Sequence, residues 1–249
     1  MTLRAQSGES PVASALTPGY WELRPPDAVA GVVACLWIRV CDRPAQVRIV
    51  PDGSADLVWL RGSGTTVVGP DTAAKLVDVI TGDVLVGMRL RPGAGGGVLG
   101  IPLNELRDQR VSVAEIDRAF DLDGEMAPDE VLAGFRAVVA GRRGDPLVLA
   151  AARQLGHSRS GSLAGAIGLS ERHLLRRFRT AVGYGPKTLE RVLRFSRFVD
   201  AVDRGRSDIA RLALDLGYAD QAHLTRETTR LAGMPPVALL KARGAATPV

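Results

Sequence analysis

Cysteine is nearly absent: Cys35 and Cys41 are the only two in 249 residues. Two thiols cannot build a disulfide framework or a four-ligand zinc site, so they are expected as reduced, half-buried strand residues. Histidine is as scarce, and His157, His173 and His223 all lie in the second half of the chain. That sets aside a metal-using barrel enzyme and a cysteine-rich metal-thiolate repair site, so no catalytic residue, metal or cofactor is expected. No apolar run approaches the roughly eighteen residues of a membrane span. The N-terminal MTLRAQSGESPVASALTPG lacks the basic and apolar segments of an export signal. The expectation is a cytoplasmic protein with no membrane partner.

Positive charge is plentiful, but only in one part. The chain carries a formal +5, yet residues 1–144 hold 15 Lys and Arg against 18 Asp and Glu. Residues 145–249 hold 17 against 9, so a net −3 is followed by a net +8. Such an asymmetry suggests that one half meets a polyanion, most commonly nucleic acid.

The two parts also differ in pattern. Short β-like runs, VACLWIRV (33–40), VRIV (47–50), DLVWL (56–60), TTVVG (65–69), KLVDVI (75–80) and VLVGMRLR (84–91), recur at sandwich or barrel spacing. PDG, RGSG and PGAGGG supply turns between them. An antiparallel, barrel-like domain over residues 1–100 follows. LNELRDQ, VSVAEIDRAF and APDEVLAGFRAVVAG then show helical spacing, giving a helical linker or dimerisation segment at 101–144. Its Leu132, Phe135, Val138 and Val139 form a stripe that can pack on the barrel or on a second subunit. GRRGDP (141–146) reads as the hinge before an all-helical part at 145–249. The fold class is therefore α+β.

Within that last part the chain states one plan twice. Gly168 pairs with Gly217, His173-Leu174 with His223-Leu224, Arg176 with Arg226, Gly183 with Gly233 and Pro186 with Pro236. Each copy has a short Ala-rich helix ending at Gly, then a second helix with Ser170 or Asp220 near its start. That is a helix-turn-helix plan, at about 162–183 and 208–233. In SERHLLRRF, Leu174 and Phe178 share a core-facing side. Arg172, Leu175, Arg176 and Arg179 fall on the other, where arginine can pair with guanine in the major groove. In the second copy Leu224 faces the core, and Gln221, Ala222, His223 and Arg226 face outward. The helix at 186–205 joins the units through Leu189, Val192, Leu193, Val199 and Val202. At 1.5 Å per residue it spans on the order of 30 Å, close to one turn of DNA. Arg177, Arg191, Arg194 and Arg197 complete the expected phosphate contacts.

At these residues the chain resembles the AraC/XylS family of bacterial transcription regulators. GY-ADQAHLTR-ETTRLAGMPP, SERHLLRRF and RVLRFSRFVDAV are similar to that family's second unit, first unit and linker helix. The resemblance implies base-facing positions at Arg172, Leu175 and Arg176, and at Gln221, Ala222, His223 and Arg226. It departs where the family has Phe and this chain has Thr228, and where Pro236-Val-Ala-Leu239-Leu240 replaces an aromatic-Arg ending. IVPDGSADLVWL, VVGPDT and VGMRLRPGAGGGVLGIP resemble a sensor module of some members, which implies a cupin-like N-terminal domain. The implied partners are double-stranded DNA, a small-molecule effector, a second copy of the chain and, for an activator, RNA polymerase.

Plainer roles stand beside these. His173 and His223 can be structural caps or core-edge residues. GAGGG (93–97) lacks the Lys-Ser/Thr of a phosphate loop and reads as a loop or bulge. Asp52 and Asp56 read as turn residues. Trp21, Trp37 and Trp59 either fill the barrel core or line a ligand cavity. A DNA binder that is purely architectural is the alternative function; a barrel enzyme with an accessory DNA-binding part is the lesser one.

Overall fold

A computed structural model describes residues 3–4, 17–157 and 170–245. The expected first helix of the first unit, 162–168, lies outside the described residues. In the N-terminal part, β1 (Leu3–Arg4), β2 (Gly19–Leu23), β3 (Val33–Val40), β5 (Ala55–Leu60), β6 (Gly64–Val68), β8 (Val84–Leu90) and β9 (Arg110–Ser112) form one sheet. Its order is β1-β2-β3-β8-β5-β6-β9, antiparallel except for the β1–β2 pair. Among the described residues the ladder ends at β1 and β9 and does not close on itself. A separate two-stranded ribbon, β4 (Ala45–Ile49) and β7 (Lys75–Val79), stands apart from it.

The alternation along β5 and β6 explains which face is covered. Leu57, Trp59 and Val67 are fully buried, and the residues between them are half-exposed. With Leu36, Ile38, Val86, Met88 and Leu90 they make a core completed by helix α2 (Pro128–Val139). Of the expected stripe Leu132, Phe135 and Val139 are buried in this core and Val138 is half-buried against it, with Val131 as a further buried member. Of the two packing partners open to it in sequence, it takes the sheet of its own chain.

Several local expectations differ. LNELRDQ and VSVAEIDRAF form 3-10 turns at Leu103–Glu105, Val113–Glu115 and Arg118–Phe120, with β9 between them, instead of α-helices. The edge of β6 takes the segment, pairing Val67 with Val111. Gly95–Leu99 is a short helix, α1, and not a loop or bulge. Asp52 holds an Asx turn through the Ser54 N–H, but Asp56 lies on β5 and receives hydrogen bonds from Arg89 and from Trp37 Nε1. Trp59 fills the core, whereas Trp37 lies on the opposite face against Gly87, where an added Cβ would fall 1.9 Å from its ring. Cys35 is half-buried and Cys41 buried, both free, and burial pushes the Cys35 thiol up to about 12.

The second part is helical throughout its described residues: α3 (Pro146–His157), α4 (Glu171–Val182), α5 (Pro186–Asp203), α6 (Ile209–Asp215), α7 (Gln221–Ala232) and α8 (Pro236–Ala245). Phe178, Phe195, Phe198, Leu189, Leu212 and Leu224 centre a second core. The expected α5 stripe is covered, and Phe195 and Phe198, which periodicity alone did not single out, are its largest members. Among the described residues no helix is long and apolar enough to cross a membrane.

Candidate nucleic-acid interface

The two repeated helices have matched ends. Ser170 Oγ accepts from the His173 N–H at 3.3 Å, and Asp220 Oδ1 accepts from the His223 N–H at 2.6 Å. Both caps satisfy an amide that the first turn leaves unpaired. At the other end Gly183 and Gly233, at φ 93° and 71°, close α4 and α7 in the left-handed conformation. Each helix is 12 residues long, and a Pro-started helix follows each.

Their buried sides are those that periodicity marks: Leu174 and Phe178 on α4, and Leu224 on α7. Arg172, Leu175, Arg176 and Arg179 are exposed on the outer side of α4, as are Gln221, Ala222 and Arg226 on α7. Arg172, Arg176, Arg179 and Arg226 have no carboxylate partner among the described residues. An open cleft of about 530 Å³ runs along the outer side of α4, lined by Arg172, His173, Leu175, Arg176 and Arg179, with Asn104 of the N-terminal part beside them.

The two histidines part company. His173 is exposed, and among the described residues its ring makes no hydrogen bond. His223 is half-buried: its Nδ1 accepts from the Ala219 N–H at 3.3 Å and its ring meets Tyr218 edge-on at 5.4 Å. That ring braces the turn before α7 and leaves Nε2 as its remaining polar atom.

The expected phosphate contacts differ most from their sequence reading. Arg177 turns inward and holds Asp145 through hydrogen bonds of 2.8 and 2.7 Å, tying the start of α3 to α4. Arg191 makes a bidentate pair with Glu227 at 2.7 and 2.9 Å, joining α5 to α7. Arg194 pairs with Glu190 and lies 5.5 Å over the Tyr218 ring. These three are occupied within the chain, so they are not free cations on an outer surface. Arg197 alone of the linker arginines keeps a buried Nε without a partner, and burial, with Arg194 beside it, holds its pKa below the ordinary value. Glu190–Arg194 is visible in the sequence from its i,i+4 spacing. Arg177–Asp145 and Arg191–Glu227, 32 and 36 residues apart, carry no such signal.

Residues 163–242 match a family model described as a helix-turn-helix domain, and residues 21–112 match one described as a domain of unknown function (DUF6597). No curated protein matches the chain. Among solved structures it is similar to an apo ToxT variant from Vibrio cholerae, with 11% identity over 83% of this chain and 97% of that one, at a TM-score of 0.48. It is also similar to ToxT from Vibrio cholerae O395, with 11% identity over 86% and 97% and a TM-score of 0.46. A third is wild-type Vibrio cholerae ToxT bound to an unsaturated fatty acid, with 12% identity over 82% and 94% and a TM-score of 0.43. The helix-turn-helix match spans both of the repeated helices with their matched caps. Over that span the chain is similar to a helix-turn-helix domain.

Proposed function

We propose that the protein reads two successive major-groove segments on one face of DNA, with α4 in the first and α7 in the second. Arg172, Leu175 and Arg176 face bases in the first segment; Gln221, Ala222 and Arg226 face bases in the second, with His223 adding Nε2 at its edge. Ser170 and Asp220 hold the helix starts in register, and Arg179 and Arg197 lie against phosphates. The observation that carries this reading is the exposed, unpaired side on each of two helices with the same length and matched caps. Linker helix α5, 18 residues long, spans about 27 Å at the standard rise, which suits neighbouring groove segments.

On this reading the chain divides into a sensor part at 1–100, a linker at 101–144 and a DNA-binding part at 145–249, working in the cytoplasm. A small-molecule signal received by the sensor part changes DNA affinity, and a second copy of the chain or RNA polymerase can join on the promoter. Selection of bound fragments from genomic DNA by the purified protein, at two salt concentrations, tests the reading. The expected result is a recurring motif with two parts one helical turn apart, about 34 Å. Salt-sensitive binding without any motif would instead support the architectural reading.

A further inference from the structure

The N-terminal part touches both repeated helices, and it does so at their corresponding ends. On α4 the contact is backbone on backbone. A Cβ on Gly96 would lie 2.2 Å from the Thr180 carbonyl oxygen, and one on Gly183 would lie 2.5 Å from Pro70 Cγ. Helix α1 can approach α4 this closely because the residue that faces it, Gly96, has no side chain. On α7 the contact is polar. Arg48 Nη1 donates to the Ala232 carbonyl at 2.9 Å, and the Ala74 N–H donates to the Leu231 carbonyl at 2.8 Å. Those carbonyls belong to the last turn, where helix bonding leaves oxygens free and a cation is favoured.

The grips come from different substructures. Helix α1 follows β8 of the large sheet, whereas Arg48 lies on β4 of the separate ribbon and Ala74 directly precedes β7. Linker helix α5 is seated between them, with Leu189 Cδ1 2.9 Å from where a Cβ on Gly53 would stand. Inside the helical part α4 and α7 are joined through α5. The N-terminal part therefore closes a ring around a single-helix joint, and the outer sides of α4 and α7 stay exposed.

We infer that the N-terminal part sets the separation of the two recognition helices, with Arg48 and Gly96 as positioning residues, so that it governs which half-site spacing the protein accepts. The consequence for DNA rests on the function proposed above; the fixed separation does not. Movement of the ribbon against the sheet then alters spacing preference without covering either recognition face.

The test uses the full chain with Cys35→Ser and Cys41→Ser, spin-labelled at Glu171→Cys and Gln221→Cys, the first residues of α4 and α7. Distances are measured by pulsed electron resonance without DNA. A single narrow distribution is expected, broadened and shifted by Arg48→Ala and again by Gly96→Ala, and restored towards the original by Arg48→Lys. An unchanged distribution in a folded Arg48→Ala protein overturns the inference; that variant decides the matter alone if Gly96→Ala fails to fold. On a fragment from the genomic selection, the unlabelled protein is expected to lose affinity when one base pair is inserted between the half-sites. Arg48→Ala brings the ratio of the two affinities towards one. A broadened distribution with no motif recovered upholds the positioning role while removing the DNA reading.

Discussion

Arg176 and Arg177 are sequence neighbours with opposite surroundings. The first is exposed and unpaired on α4; the second is drawn in to Asp145. Arg176→Ala is expected to leave thermal stability almost unchanged and to weaken DNA binding by about 1–3 kcal/mol, with relaxed preference at one base position. Arg177→Ala is expected to do the reverse, costing about 1–2 kcal/mol of stability, between the exposed and buried ion-pair limits, while base preference is kept. Melting curves and anisotropy titrations on the two variants check both halves. Periodicity shows which of a helix's residues face inward, but not which carboxylate from a distant segment will be waiting there. Thr228 makes the same point: it is fully buried on α7 with its hydroxyl unpartnered. Replacing Thr228 with Val removes an unsatisfied polar group and is expected to stabilise the chain by about 1 kcal/mol, read as a Tm higher by roughly 2–4 °C.

Among the elements, α4 and α7 are the most legible in sequence, because apolar spacing, a capping side chain and a terminal Gly agree at each. Helix α1 is not. Glycine is among the poorest helix formers, and Gly95–Leu99 is helical because close packing of its backbone favours it. The 103–120 segment misleads for a related reason, its helical spacing being overridden by pairing with β6. Two ion pairs between elements make stability depend on acid. Burial works to raise the carboxyls of Asp145 and Glu227, yet their hydrogen bonds and the charges of Arg177 and Arg191 hold both below their ordinary values of 3.8 and 4.5. A lowered folded-state value gives stabilisation that is complete at neutral pH and lost as pH falls through that value. Unfolding by urea between pH 7 and pH 3 is expected to show a steep acid loss, made shallower by Asp145→Asn or Glu227→Gln. Equal slopes in all three proteins would show that the pairs contribute nothing.

At the scale of the whole molecule, the charge step between residues 144 and 145 is plain from the order of residues alone. Composition does not reveal how much of that positive charge is neutralised inside the helical part, by Asp145, Glu190 and Glu227. Those pairings leave the net +8 unchanged but take Arg177, Arg194 and Arg191 out of the set of arginines free to meet DNA. Affinity for DNA is expected to fall linearly with the logarithm of salt concentration, and removing one free phosphate-facing arginine, Arg179→Ala, reduces the slope by about 1. Arg191→Ala, starting from a paired residue, is expected to leave the slope where it was. The contact between the two parts of the chain has another property. At Gly93 and Gly96 it consists of bare backbone, since a Cβ at Gly93 would also come within 2.9 Å of backbone, the Leu149 amide nitrogen. A scan that trims side chains to alanine subtracts atoms, and here there are none to subtract. This stretch of the seam, unlike the Arg48 contact, would pass through such a survey as blank sequence, and only a library that adds atoms would bring it into view.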